Sequence, residues 1–359
     1  MAFTRRAVVA NLAAAAFATL ALPSALAAGK AYAVRNLVSN GVVDSDYIDP
    51  NMVNTWGVSF NPNGLVWVSN NRTGTSTLYD GLGVPNALVV NVPAANGGVG
   101  APTGIVFSGS ADFVVSKDGV NGPSRFIFAN EDGLITGWAP GVDLHNALPA
   151  ALQPSAVYMG LAVAQSPAGA RLYATDYRNA RVDIYDSAFA PVKLTKAFVD
   201  PRMPSGMSPF GIQAIGDAIY VTFIKAGDYN AGTRTDGGGV NAVISVFDTG
   251  GRFLRRAVAN SGKLRQPWGI AMAPSNFGVH SNRLLISDFH EGTISAYDPV
   301  SGASLGYLKD RNGQPLRVPG IWGMQFGNGL NNQPLNSLFF AAGPNGQGGG
   351  VYGSISVAP

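Results

Sequence analysis

The sequence predicts an all-β fold, and more narrowly a six-bladed β-propeller. Glycine and proline are abundant, at 46 and 23 of 359 residues, and only 13% of residues are charged. Six short runs rich in β-branched and aromatic residues (LVWVS, RFIFA, RLYAT, AIYVT, RLLIS and SLFFA) indicate strands. Each run follows a step in which glycine precedes an aliphatic residue, and these glycines recur every 47 to 58 residues, at Gly57, Gly104, Gly160, Gly211, Gly269 and Gly323. Repeats of this length built from short strands are typical of propeller blades.

The N-terminal segment 1–27 is interpreted as a signal peptide. It has a basic start, an Ala/Leu-rich stretch and an Ala25-Leu26-Ala27 ending, and Pro23 ends an apolar run too short to span a membrane. Cleavage after Ala27 leaves one predicted domain, 28–359, without a membrane span. The pair Arg5-Arg6 keeps both general secretion and twin-arginine export open, so the expected location is periplasmic or extracellular.

Charge and cysteine content exclude several classes of function. The formal net charge is +3, and removal of the leader leaves 22 basic against 21 acidic residues, or +1. Because no run of Lys or Arg follows the leader, we expect no nucleic-acid binding. The absence of cysteine excludes disulfides, thiolate nucleophiles and cysteine-ligated metals.

Within each blade we expect an inner strand at the glycine step, two further strands and an outer strand before the next step. The blades begin near residues 54, 101, 157, 207, 266 and 320. The chain ends one strand short, and AVRNLVSN at 33–40 resembles the outer-strand candidates TKAFVD (195–200) and LRRAVA (254–259). Its pairing into the last blade would close the ring and remove the exposed edges, which favours a monomer.

The third strands end in an aromatic residue followed by aspartate. We interpret this pair structurally, with the ring packed between blades and the carboxylate accepting backbone N–H bonds of the next turn. The pairs are Tyr79-Asp80, Tyr185-Asp186, Phe247-Asp248 and Tyr297-Asp298.

The repeated steps resemble NHL-type six-bladed propellers over the whole mature chain. More narrowly, NLVSNG, NTWGVSFNP and VWVSNN near the start, with PWGIAMAP and LLISDFHEGTISAYDP later, resemble an uncharacterised family of secreted bacterial proteins. The resemblance implies the fold and carries no activity, so function has to be argued from the site.

Polar residues at the ends of the second strands form the first candidate site. The turns that follow these strands surround the mouth of the central channel, and carboxylate and amide oxygens are ligands that Ca²⁺ accepts. The similarity is to gluconolactonase-like and paraoxonase-like propellers, in which Ca²⁺ polarises a lactone or ester carbonyl. The alternative is that each residue caps its own turn. The candidate metal ligands are Asn70, Asn130, Asp176 and Asp288; Phe223 and Ala342 occupy the same register.

Histidine chemistry offers one candidate catalytic pair. His290 is a possible general base, and Glu291 or Asp288 could orient it. The alternative is a solvated histidine in a tight turn. Because His145 and His280 lie in other contexts, three-histidine zinc ligation is not expected.

The remaining candidates form a ligand-binding surface at the channel mouth. Indoles there could stack on a glycan or an aromatic ligand, or could instead pack between blades. The span from the second strand to the third-strand aspartate is 10 residues in three blades but 25 in blade four. The 225–241 loop, with Lys225, Asp228, Tyr229 and Arg234, is therefore a lid, a contact arm or a disordered segment. The candidate ligand-binding residues are Trp56, Arg72, Glu131, Arg178, Lys225, Trp268 and Trp322.

Two functions follow from these candidates. The favoured one is a module that binds a small molecule, a glycan or a protein on this loop face. The alternative is a Ca²⁺-dependent hydrolase or lyase, resembling a lactonase or esterase, at the same mouth.

Overall fold

The structure is a computed structural model that describes residues 31–230, 233–234, 242–258 and 264–358. The predicted signal peptide, 1–27, and residues 231–232 and 235–241 of the predicted blade-four loop lie outside the described residues. No helix in the described ranges is both long and apolar enough to cross a membrane.

The described residues form six antiparallel blades around a central axis. Their strands are β3 Thr55–Phe60, β4 Val66–Asn70, β5 Thr75–Tyr79 and β6 Pro85–Asn91 in blade one; β7 Pro102–Phe107, β10 Phe126–Asn130, β11 Leu134–Trp138 and β12 Leu148–Leu152 in blade two; β13 Tyr158–Ser166, β14 Gly169–Asp176 and β15 Arg181–Tyr185 in blade three; β16 Met207–Ile215, β17 Ala218–Lys225, β20 Val243–Asp248 and β21 Phe253–Val258 in blade four; β22 Pro267–Met272, β23 Leu284–Asp288, β24 Thr293–Tyr297 and β25 Ser304–Tyr307 in blade five; and β26 Ile321–Phe326, β27 Leu338–Ala342 and β28 Val351–Val357 in blade six.

Four smaller elements of the described residues lie outside the blades. Two hairpins project from blades two and four, and two short helical turns lie in the loops. They are β8 Val114–Lys117 with β9 Val120–Pro123, β18 Tyr229–Asn230 with β19 Thr233–Arg234, the 3-10 turn Gly278–His280 and the helical turn Pro344–Gln347.

The N-terminal strand closes the ring, as the sequence predicts. Strand β1, Tyr32–Ser39, pairs antiparallel with β28 from Tyr32↔Val357 to Ser39↔Val351. It supplies the outer strand of blade six, and the short strand β2, Tyr47–Ile48, adds to it in parallel. Strand pairing between the two ends of the chain therefore holds the propeller closed.

Blade three departs from the predicted four strands. The segment TKAFVD, 195–200, contains a turn rather than a strand, and only the isolated bridge Tyr185↔Pro191 continues the sheet. Asp200 instead accepts hydrogen bonds from Ser245 Oγ at 2.8 Å and Arg256 Nε at 2.6 Å in blade four. The buried carboxylate is thus bound to the neighbouring blade, so the prediction of an outer strand here was wrong; LRRAVA, by contrast, falls largely within β21.

The glycine steps are explained by the close approach of neighbouring inner strands. Each inner strand has a register shift at its glycine, where a β-bulge turns the backbone. A Cβ atom built on Gly211 would lie 2.0 Å from the carbonyl oxygen of Trp268 in the next blade, and one on Gly104 would lie 2.3 Å from the amide nitrogen of Leu161. Gly323 meets Trp56 in the same way, so the contact continues around the closure. Only glycine fits such positions without pushing the blades apart.

Hydroxyl side chains near the ends of the second strands join neighbouring blades. Thr175 Oγ1 donates to the carbonyl oxygen of Phe210, and Thr222 Oγ1 donates to that of Pro267, each at 2.7 Å. Ser287 Oγ donates to the carbonyl of Trp322 at the same distance. These inter-blade bonds could not be predicted from the residue types, because their acceptors are backbone carbonyls of another blade.

The aromatic-aspartate pairs have the predicted structural role. Tyr79 and Tyr297 are fully buried. The Asp80 carboxylate accepts the backbone N–H groups of Leu82 and Val84. Asp186, Asp248 and Asp298 each accept two backbone N–H bonds in the same way. This interpretation is confirmed.

Candidate functional site

Aromatic side chains from the inner strands fill the channel. Trp56 stacks on Trp322 with ring centroids 3.7 Å apart, and Trp268 meets Trp322 edge-on at 6.1 Å. Trp268 Nε1 donates to the Met159 carbonyl at 2.8 Å, a bond from blade five to blade three and therefore between blades that are not neighbours. Except for Thr103 in blade two, the residue before each glycine thus belongs to one buried cluster, in which side chains from non-neighbouring blades meet.

This packing favours the structural alternative for the three indoles. Trp56 and Trp322 are 0% exposed and Trp268 is 9% exposed, so they offer no open stacking surface. Trp322 packs against indoles of both neighbouring blades, and the rings of Trp56 and Trp268, in blades that are not neighbours, also lie within 6.0 Å of each other.

Tyr229, from the start of the blade-four loop, covers this aromatic cluster. Its ring lies 5.4 Å from that of Phe210 and 5.8 Å from those of Trp56 and Trp322, and it is 8% exposed. The Tyr177 hydroxyl accepts the backbone N–H of Tyr229 at 3.2 Å and that of Gly227 at 2.8 Å. The described part of the loop therefore closes the axis of the channel, while Lys225 is exposed at its base.

The two candidate aspartate ligands bind backbone groups. Asp288 Oδ2 accepts the Arg265 N–H at 2.6 Å, and Oδ1 accepts those of Gln266, His290 and Glu291 at 3.1 to 3.3 Å. Burial raises the pKa of Asp288, and these N–H groups oppose that shift. In blade three, the Asp176 carboxylate accepts two backbone N–H bonds in the same way, from Val157 and Asn179 at 3.2 Å.

The two candidate asparagine ligands are also bound within their own blades. Asn70 Nδ2 donates to the hydroxyls of Thr75 and Thr77 at 3.1 and 3.0 Å, and Asn130 Nδ2 donates to the Leu134 carbonyl at 3.3 Å. Across the described ranges, no three histidine, aspartate or glutamate side chains are grouped to hold a metal ion. The aspartate contacts favour the turn-capping interpretation, whereas the Oδ1 atoms of Asn70 and Asn130 are buried and accept no hydrogen bond from the described residues. The shared Ca²⁺ site therefore stays a prediction.

The candidate pair His290 and Glu291 lies among arginines. Glu291 Oε1 is 3.1 Å from Arg265 Nε, and Oε2 is 3.6 Å from Arg317 Nη1. His290 Nε2 is 3.4 Å from Arg265 Nη1 and 3.9 Å from Glu291 Oε1. The carboxylate of Glu291 is thus bound mainly to guanidinium groups, and the catalytic role of the pair stays a prediction.

Two adjoining cavities on the loop face form a groove between blades two and three. Glu131 and Arg178 line both cavities, whose volumes are about 350 and 490 Å³. We call this the mouth groove. Its inner part is also lined by Val157, Tyr177 and Tyr229, and its outer part by Ala94, Val99, Ala101, Asp132, Pro154 and Ala156.

Glu131 is the chemically distinctive group of the mouth groove. Burial raises the pKa of its carboxyl, while the nearby Arg72 guanidinium and a hydrogen bond from Asn71 lower it. Its Oε1 atom is buried and accepts no hydrogen bond from the described residues. Arg72 lies at the rim, with Nη2 3.5 Å from Gln347 Oε1.

The other charged residues of the mouth groove differ in how they are engaged. Asp132 accepts the backbone N–H groups of Ala95 and Leu134, so its carboxylate holds the surrounding loops. Arg178 is exposed, and the described part of the chain gives it no ion pair. Its guanidinium is therefore available to a ligand, and Glu131 lines the same two cavities. Glu131 and Arg178 were predicted from the sequence, but the apolar wall residues Val157 and Val99 carry no chemical signal that could have revealed them.

Comparisons with known proteins find viral relatives of unknown function. No family model matches the chain. Two uncharacterised proteins of Acanthamoeba polyphaga mimivirus are similar to it: one is 29% identical over 335 residues, covering 90% of this chain and 79% of the relative, and the other is 31% identical over 265 residues, covering 72% and 48%. The chain thus spans about half the length of the second relative. The resemblance to a secreted bacterial family and to NHL-type repeats stays a prediction.

Solved structures of similar shape are propeller enzymes of different chemistry. A streptogramin B lyase structure superposes with a TM-score of 0.53 at 11% identity, covering 91% of this chain and 97% of that one. The PQQ-bound aldose sugar dehydrogenase of Streptomyces coelicolor gives 0.52 at 14% identity, with 92% and 100% covered. The apo aldose sugar dehydrogenase of Escherichia coli gives 0.54 at 11%, with 91% and 100% covered. At these identities the similarity shows the fold alone.

Proposed function

We propose that this protein is a ligand-binding propeller that holds a small molecule in the mouth groove. The observation that carries the proposal is Glu131, whose Oε1 atom is buried, accepts no hydrogen bond within the described residues and belongs to a residue that lines the groove. Buried polar atoms are nearly always paired, and an unpaired acceptor beside a cavity is explained by a donor on a ligand.

The lining residues define the ligand that the groove would accept. A protonated amine or a hydroxyl would donate to Glu131, and an acceptor or anionic group would bind the Arg178 guanidinium. Val157, Tyr177 and Tyr229 offer an apolar surface between these groups. The volume is in the range of small-molecule sites. On the support of the leader pattern in 1–27, the proposal places this protein outside the cytoplasm.

The calcium-dependent hydrolase is not proposed. The two aspartates among its candidate metal ligands accept backbone N–H groups of their own blades, and the mouth groove requires no metal for its recognition chemistry.

Ligand screening with matched variants tests the proposal. Amines, amino acids and polar metabolites are screened by thermal shift, and the compounds that stabilise the protein are measured by calorimetry. We expect Glu131→Gln to weaken binding about tenfold or more, the loss of one charge-assisted hydrogen bond. Glu291→Gln is the matched control, because Glu131 and Glu291 are the glutamates of this chain and both lie on the loop face. Equal affinities of the two variants would exclude the mouth groove as the site.

A further inference from the structure

A separate cavity lies in blade five, on the face opposite the mouth groove. It has a volume of about 400 Å³ and is bounded by the turn between β22 and β23 and by the outer strand β25. Turns between first and second strands lie on the opposite face from those between second and third strands, so this cavity is independent of the mouth groove. Its lining residues are Val279, His280, Arg283, Leu305, Tyr307 and Lys309.

The charged lining residues of this blade-five cavity are basic. Arg283 forms an ion pair with Asp298, with Nη1 and Oδ2 3.0 Å apart, and Asp298 does not line the cavity. Lys309 is exposed, and no carboxylate in the described residues pairs with it. The nearby Asp310 carboxylate accepts the backbone N–H groups of its own turn. Lys309 therefore contributes a positive charge that no ion pair neutralises, and Arg283 adds a guanidinium that Asp298 neutralises in part.

His280 is the buried group in the wall of this cavity. It is 8% exposed, its Nε2 atom is 3.3 Å from the Tyr307 carbonyl oxygen, and its Nδ1 atom has no hydrogen-bond partner among the residues that the structure describes. Its ring stacks on that of Tyr32 at 5.8 Å, and its backbone N–H donates to the Tyr32 hydroxyl. The strand that closes the propeller therefore fixes the position of this imidazole.

The groups around His280 favour its neutral form. Burial lowers the pKa of the imidazole most, the Tyr307 carbonyl opposes this, and the positive charges of Arg283 and Lys309 lower it further. Burial raises the pKa of the facing Tyr32 hydroxyl to about 12, so that group stays neutral. An anion between the two cations would offset their repulsion of an imidazolium.

We propose that the blade-five cavity binds a small phosphate-type oxyanion through Lys309 and Arg283, and that His280 takes up a proton when the anion binds. In this scheme Nε2–H keeps its bond to the Tyr307 carbonyl, and the proton comes from solvent to Nδ1. Because linkage is reciprocal, the anion raises the pKa of His280 and protonation strengthens anion binding by the same factor.

Titration of His280 by NMR tests this site. The chain has three histidines, so His145→Asn and His290→Asn together leave one imidazole signal. The probe is sulfate, whose charge is constant over the titration, against chloride at equal ionic strength. We expect saturating sulfate to raise the pKa of His280 by about one unit, which corresponds to about tenfold tighter binding to the protonated protein. An equal change in chloride would overturn the proposal, because it would show general screening.

A charge-removing variant locates the effect. Lys309→Gln should lose about tenfold in sulfate affinity and most of the pKa rise, whereas the control Lys193→Gln, at an exposed position after β15, should keep both. Indistinguishable variants would refute the site. If Lys309→Gln fails to fold, the sulfate and chloride comparison decides alone. Parallel titrations use inorganic phosphate and glycerol phosphate, and binding of either one supports the site. Their relative affinities show whether the cavity prefers a free ion or a phosphate group on a larger molecule.

Discussion

Replacement of Gly211 by alanine tests the explanation of the glycine steps. The added Cβ would lie 2.0 Å from the Trp268 carbonyl oxygen and 2.8 Å from the Trp268 Cα atom. The first distance is about 1.5 Å short of the optimal separation between non-bonded atoms. Because the contact is to backbone, no side-chain rotation relieves it, and the inner strands of blades four and five have to separate.

The separation would also stretch a buried hydrogen-bond bridge. Thr222 Oγ1 accepts the Gly211 N–H and donates to the Pro267 carbonyl, each at 2.7 Å. Overpacking costs about 1–3 kcal/mol, and loss of a buried hydrogen bond adds about 1 kcal/mol. We expect Gly211→Ala to lower the free energy of unfolding by about 3 kcal/mol and the melting temperature by about 6 °C.

Thermal and urea unfolding followed by circular dichroism measure this loss. Gly141→Ala is the control, since a Cβ there meets no atom within 4 Å and should change stability by less than about 0.5 kcal/mol. A Gly211→Ala variant that unfolds like the Gly141→Ala variant would refute the close-approach explanation.

Three other predictions concern the carboxyl of the mouth groove, the inter-blade bonds and metal. Since burial raises the pKa of Glu131 above its unfolded value, its contribution to stability is present at acid pH and is lost as pH rises through the folded pKa. Glu131→Gln should therefore resist urea better than the wild type at pH 7 and equally at about pH 3.5; equal resistance at both would show that the carboxyl is not buried. Thr222→Val should cost about 1–3 kcal/mol in urea unfolding, because the Gly211 N–H and the Pro267 carbonyl lose their partner; a neutral result would mean that this bridge does not hold the blades together. A chelator and added Ca²⁺ should both leave the melting temperature unchanged; a fall on chelation, with Ca²⁺ found in the protein, would restore the calcium hypothesis.

The repeating features of this protein could be predicted from its sequence because they follow from local geometry. Every inner strand has a β-bulge and a close approach to the inner strand of the next blade, and both favour glycine. The number of repeated glycines therefore predicted the number of blades. Blade six lacked a predicted outer strand, and the segment AVRNLVSN was predicted to supply it. Strand β1, which contains most of this segment, pairs with β28 as that outer strand. The aspartates after the third strands accept backbone N–H groups a few residues further along the chain. Because such a contact is local, the residue types alone predicted it.

The contacts between distant parts of the chain were decided only by the tertiary structure. TKAFVD has the pattern of a strand, but the structure has a turn there. The ion pair of Asp200 with Arg256 binds the end of this segment to blade four. The sequence predicted that Trp56 and Trp322 occupy the same position in their inner strands. Their burial depends on the width of the channel, which no single blade determines. Likewise, the residue types do not show whether a carboxylate accepts backbone N–H groups of its own blade, as Asp288 does, or belongs to a cavity-lining residue and keeps one oxygen without a donor among the described residues, as in Glu131. That difference depends on the positions of all neighbouring donors, which only the assembled ring brings together.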